Sequence, residues 1–158
     1  MECRVLVVED DSTTQALLTK YLQQRGHSVV VAASGEDAVK MFTPGIFDCL
    51  LVDYWLPGFD GIECIKRVRK VDDRVGIIVV TGKKEEVEEM CGGLSVYSVV
   101  QKPVILASLH DKVLEAAELA HMSPEQEAKF LSTLTHESKK MNALTMDLMN
   151  ETGFHQTQ

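Results

Sequence analysis

Aromatic residues are scarce in this 158-residue chain, 6% with a single Trp, and no apolar stretch approaches the ~20 residues a membrane helix needs. No membrane span is expected. The start, Met1-Glu2-Cys3-Arg4, lacks the charged-then-apolar layout of a signal peptide. Paired cysteine motifs are also missing: Cys3, Cys49, Cys64 and Cys91 form no CxxC and sit mostly in apolar segments, as reduced, buried thiols would. A cytoplasmic location follows as the expectation. Basic residues are outnumbered, 16 Lys and Arg against 24 Asp and Glu, for a net charge of −8 and a pI near 5.1. That argues against direct nucleic-acid binding, which needs clustered Lys and Arg. An acidic patch around a cation suits this charge better.

What the chain does have is alternation of two periods. Short runs rich in Val, Ile and Leu recur at Arg4–Val8, Ser28–Val31, Phe47–Val52, Val75–Val80 and Val96–Val100, as buried strands require. Between them, helical spacing covers Ser12–Arg25, Gly35–Phe42, Gly61–Lys70, Lys84–Cys91 and Val104–Ala120. Ser12 with Gln15 is read as a capping box, Ser34 with Asp37 as a weaker one, and Gly26 as the end of the first helix. Parallel strands joined by short helices take right-handed crossovers. The fold class is therefore α/β, a five-stranded parallel doubly wound sheet with helices on both faces.

Function in such sheets collects beyond the carboxyl ends of the strands, at the switch point between neighbouring halves. Asp53 closes the third apolar run there, while Glu9, Asp10 and Asp11 follow the first. These acids are expected to converge on one crevice, where their repulsion calls for a cation. Mg²⁺ fits, since it takes one or two carboxylates, a carbonyl and waters, and favours phosphate in the remaining positions. Thr81 ends the fourth run and Lys102 follows the fifth. A hydroxyl and an ammonium there would bind phosphoryl oxygens.

With an acidic pair after the first strand, Asp53 after the third, Thr81 after the fourth and Lys102-Pro103 after the fifth, the chain resembles the receiver domains of two-component response regulators. Leu56-Pro57-Gly58-Phe59-Asp60-Gly61 is similar to the family's Met-Pro-Gly-x-Asp-Gly loop, and the resemblance spans roughly Arg4 to Ala120. It implies a flavodoxin-like strand order of 2-1-3-4-5. It also implies that Asp53 is the phosphoacceptor and that Glu9, Asp10, Asp53 and the backbone carbonyl of Trp55 form the Mg²⁺ site. Thr81 and Lys102 would read the phosphoryl group. The implied partners are a sensor histidine kinase or phosphotransfer protein and a downstream protein.

Two places depart from the family pattern. Val99 stands where receivers usually carry Tyr or Phe, three residues before Lys102; either Val99 fills a smaller slot or Tyr97, two residues earlier, supplies the ring. Trp55 and Lys83, two residues beyond Asp53 and Thr81, flank the expected path of a hydrolytic water and could slow dephosphorylation.

The sequence divides into a receiver at residues 1–121 and a helical extension at 122–158 with a frayed end. Ser123-Pro124-Glu125-Gln126 reads as a helix start, and Phe130, Leu134, Met141, Leu144 and Leu148 form a short heptad seam suited to a homodimer. Around His136, Phe130 to Glu137 is similar to the phosphoacceptor box of histidine kinase dimerisation helices, although Lys139-Lys140-Met141-Asn142 replaces the expected Arg-Thr-Pro-Leu. Ser138-Lys139-Lys140-Met141 is more weakly similar to the start of enhancer-binding ATPase domains. The favoured reading is a phosphorylation-controlled signalling module acting by protein contact or dimerisation, not itself an enzyme. A fragment of a hybrid histidine kinase or of a receiver-containing transcription activator is the alternative. A Mg²⁺-dependent phosphatase is disfavoured because Tyr54-Trp55 stands where aspartyl phosphatases place a second Asp.

Overall fold

The computed structural model describes residues 2–130 together with Ser132 and Thr133. Five strands, β1 (Arg4–Val8), β2 (Ser28–Ala32), β3 (Cys49–Asp53), β4 (Gly76–Thr81) and β5 (Ser98–Gln101), alternate with five helices. These are α1 (Ser12–Gln24), α2 (Gly35–Met41), α3 (Gly61–Arg69), α4 (Lys84–Met90) and α5 (Leu106–Ala120). All strand pairs are parallel, in the order β2-β1-β3-β4-β5. Every residue of β3 and β4 is buried, which is why both strands are apolar up to their last residues, Asp53 and Thr81.

Strand alternation sorts the core into two layers. Leu6, Val8, Leu50, Val52, Ile77 and Val79 pack with Ala38 of α2, Ile65 of α3 and Val87 of α4. Their neighbours Val5, Val7, Leu51, Ile78 and Val80 face Leu18 and Leu22 of α1 and Leu109 and Val113 of α5. Each buried Val, Leu or Ile contributes about 1.5–3 kcal/mol relative to exposure. At Gly76 the sheet meets α5 so closely that a Cβ would stand 2.5 Å from the Ala116 carbonyl oxygen. Cys3, Cys49 and Cys64 are free and buried, and burial pushes the Cys64 thiol up to about 11.

Polar clasps tie α5 to the amino ends of the strands. Buried Asp48 accepts the Arg4 amide on Oδ2 at 2.7 Å, while its Oδ1 lies 2.6 Å from His121 Nε2. Buried His27 accepts the Cys3 amide on Nδ1 at 2.9 Å, so its proton sits on Nε2, 2.8 Å from His110 Nε2. The first helix start differs from expectation. Asp11, not Ser12, caps α1 by accepting the Thr14 amide at 2.8 Å, and the Gln15 side chain turns back to the Glu9 carbonyl instead of closing a capping box. An Asp carboxylate is the stronger acceptor for orphaned helix amides. Ser34 caps α2 through the Asp37 amide as expected.

A first compact unit comprises Met1–His121 and a second begins at Met122. Within the second, Ser123 and Gln126 exchange two hydrogen bonds, amide to side chain each way, and residues 124–130 are helical. His136, the proposed heptad seam after Phe130 and the frayed end lie outside the described residues.

Candidate functional site

Adjacent parallel strands β1 and β3 end side by side, with Val8 opposite Val52, and this delivers their following acids to one pocket. Carboxylate oxygens of Glu9, Asp10 and Asp53 all lie within 4.8 Å of one another. Glu9 and Asp53 are buried, whereas Asp10 faces solvent. Asp11 is not among them. It is exposed and spent on capping α1, and the hydrogen bonds from Thr14 hold its carboxyl below the ordinary value. The expectation of four converging acids is thus reduced to three.

Like charges at this separation cannot all ionise freely. Burial first, then the hydrogen bond and charge of Asp53, push Glu9 up to about 7, against weaker pulls from the Asp11 amide and Lys102. The counterweight is Lys102, whose Nζ sits 2.9 Å from Asp53 Oδ2. Partial burial would lower this ammonium, but the bond and charge of Asp53, with Glu9 and Asp10 behind it, outweigh that and raise it. Three acids facing one ammonium leave negative charge uncovered, and a hard divalent cation with oxygen ligands is the group that fits. The other Asp53 oxygen accepts the Trp55 amide at 3.2 Å.

Backbone geometry fixes Asp53 firmly. The Tyr54 amide donates to the Val80 carbonyl at 3.0 Å, and Gly61 comes so close that a Cβ would lie 2.6 Å from the Asp53 carbonyl oxygen. Trp55 is 77% exposed. Thr81 is buried at the end of β4, and its Oγ1 accepts the Lys83 amide at 3.0 Å rather than reaching Asp53. The Lys102 amide in turn donates to the Thr81 carbonyl at 2.8 Å. An apolar cavity of about 320 Å³ opens from Asp53 and Lys102 between α1 and α5, past Leu18 and Leu109.

Tyr97 does not replace the missing aromatic. It precedes β5, packs on the α5 side and donates to Glu115 Oε2 at 2.6 Å, while buried Val99 faces the α4 side. Alternation holds only inside the strand, and Tyr97 lies outside it. Two glutamines have roles that the sequence reading missed, Gln15 having been read only as half of a capping box. Gln15 supports the Glu9 carbonyl, and Gln101 bonds the loop between β4 and α4. A signal existed for the second: no Ser, Thr, Asp or Asn directly precedes α4, so its first amides need an acceptor from elsewhere.

A doubly wound α/β domain with an acidic, lysine-faced pocket at the switch point is a class built to handle phosphate and a cation. The sequence pattern described as "Response regulator receiver domain" matches residues 5–114, and the chain belongs to that family, the phosphorylation-controlled modules of two-component signalling. It is similar to the transcriptional regulatory protein AfsQ1 of Streptomyces coelicolor, 35% identical over 88 residues that cover 56% of this chain and 39% of the relative. Among solved structures, it is similar to the non-phosphorylated HemR receiver domain of Leptospira biflexa, with a TM-score of 0.71 and 22% identity over 77% of this chain and 98% of the other. It is also similar to the response regulator TrrA of Thermotoga maritima in complex with Mg²⁺-BeF, at a TM-score of 0.66 and 29% identity, covering 72% and 98%. The chain spans 30 to 51% of the length of four curated relatives it matches. Among the described residues, no helix is long and apolar enough to cross a membrane.

Proposed function

We propose that Asp53 accepts a phosphoryl group from the phosphohistidine of a partner kinase or phosphotransfer protein. The observation that carries this is the 2.9 Å pair of Lys102 with an Asp53 carboxylate buried among acids. In the transfer, an Asp53 oxygen forms a bond to phosphorus as the P–N bond to the imidazole breaks. The departing nitrogen keeps the bonding pair and takes up a proton. Glu9, Asp10, Asp53 and the Trp55 carbonyl are the groups that would hold Mg²⁺, which when bound neutralises charge on the transferring oxygens. Lys102 moves from the carboxylate to the acyl phosphate, and the Thr81 hydroxyl turns from Lys83 to a phosphoryl oxygen.

The phosphoryl group places about two negative charges where the carboxylate had one, and the loop after β4 follows Thr81, altering the face made by α4 and β5. That face meets a downstream protein. The chain catalyses only its own phosphorylation and dephosphorylation and works in the cytoplasm. The receiver is residues 1–121, and residues 122–158 are a helical extension that pairs two chains. The Mg²⁺-BeF complex of TrrA supports the same ligand chemistry here. Incubation with acetyl phosphate and Mg²⁺ is expected to add one phosphoryl mass to the wild-type chain and none to Asp53→Ala. Equal labelling of both would overturn the assignment.

A further inference from the structure

Gln101 ends β5 directly opposite Thr81, and its side chain, although exposed, is fully engaged. Nε2 donates to the Gly82 carbonyl at 2.8 Å and to the Lys102 carbonyl at 3.0 Å, while Oε1 accepts the Lys84 amide at 3.0 Å. One side chain therefore grips the loop on both sides of Lys83, whose own amide is held by Thr81 Oγ1 at 3.0 Å. Little else secures this segment. The residue that caps α4, Lys83, offers no side-chain acceptor, α4 buries only Val87, and a Cβ placed on Gly82 would meet nothing within 4 Å. Helix amides left at an amino terminus need an acceptor, and Gln101 supplies one across the sheet edge.

We propose that Gln101 is a positioning residue that holds the loop between β4 and α4 in its resting arrangement and sets the resistance Thr81 meets in turning toward a phosphoryl group on Asp53. This rests on the roles proposed above for Asp53 and Thr81. To reach that group, Thr81 Oγ1 must leave the Lys83 amide. The loop then shifts to satisfy that amide again, drawing Gly82 and Lys84 away from Gln101. Bonds present in the resting state and broken in the activated one weaken any ligand that requires activation. Gln101 thus tunes how readily phosphate at Asp53 is relayed to α4, a task that falls to hydrogen bonds where the family's aromatic is replaced by Val99.

Calorimetric titration of the full chain with beryllofluoride in saturating Mg²⁺ tests this. Gln101→Met keeps the side-chain length and removes all three bonds, and is expected to bind about fivefold tighter, the equivalent of one net hydrogen bond. Amide chemical shifts of residues 82–84 in the ligand-free variant should move along the line joining free and bound wild-type positions, which general loosening would not produce. Gln101→Glu keeps an acceptor for the Lys84 amide and should return those shifts toward wild type. In a Thr81→Val background, the effect of Gln101→Met should vanish. Unchanged or weaker binding by Gln101→Met, or a gain that persists in full beside Thr81→Val, would overturn the proposal. Beryllofluoride binding that is absent from the wild type, or identical in Asp53→Asn, would instead remove the Asp53 assignment and this proposal with it.

Discussion

Replacing Glu9 by Gln deletes one of three clustered charges while keeping the pocket's shape and the acceptor for the Asp11 amide, 3.1 Å away. Glu9 titrates at about 7 in the folded chain instead of its ordinary 4.5. The folded state thus binds this proton more tightly than the unfolded state. Its contribution to stability is fully present below pH 4.5 and is lost as pH rises through 7. At about 1.4 kcal/mol per tenfold change in proton affinity, the ceiling on that loss is about 3 kcal/mol. Solvent reaching exposed Asp10 screens the pocket, which brings the expected value to about 1–2 kcal/mol. Thermal unfolding in chelator should therefore show Glu9→Gln melting about 4–8 °C above wild type at pH 8 and converging with it near pH 4.5. His27 titrates in the opposite sense. Burial and the facing His110 lower its imidazole, so its contribution is lost as pH falls below 6.5, but it is common to both proteins and cancels in the difference. Saturating Mg²⁺ should then stabilise wild type more than the variant, because a cation favours the ionised cluster. Melting curves whose separation does not change with pH would refute the charge-crowding argument.

Three other perturbations test separate parts of the structure. Trp55→Asn with Lys83→Ala should shorten the aspartyl phosphate lifetime about tenfold, equivalent to ~1.4 kcal/mol of barrier, as followed by loss of phosphoprotein mass; an unchanged lifetime would rule out shielding by these side chains. Asp48→Ala strands the Arg4 amide and removes the partner of His121, and should cost about 2–3 kcal/mol in urea unfolding. A loss below about 0.5 kcal/mol would mean the clasp on α5 is incidental. Gly76→Ala drives a methyl group into the Ala116 carbonyl and should cost about 1–3 kcal/mol, with the m-value unchanged if the fold is kept.

The order and phase of the ten elements were legible because each strand is a short Val, Ile or Leu run and the segments between them have helical spacing and length; observed ends differ from expectation by one or two residues at most positions. Asp53, Glu9, Asp10 and Lys102 could be placed together because parallel strands put all their carboxyl ends at one edge. What sequence could not resolve was competition among adjacent polar groups. Asp11 beside Asp10 looks like another ligand, yet the free amides of α1 claim it. Tyr97 looks like a same-face neighbour of Val99, yet it falls before β5 begins and is drawn to Glu115. Thr81 was found by its position, but that its hydroxyl rests on Lys83 depends on a loop whose path no spacing encodes.

Exposed Trp55, two residues from Asp53, makes the chain its own optical instrument. Trp55 is the chain's one Trp, it stands 77% exposed, and its amide is bonded to the carboxylate that ligands would engage. Its emission has no background from another indole. Phosphoryl transfer to Asp53 and its hydrolysis are therefore expected to change the emission of unlabelled protein, on a stopped-flow timescale, with Asp53→Asn as the control that cannot be phosphorylated there.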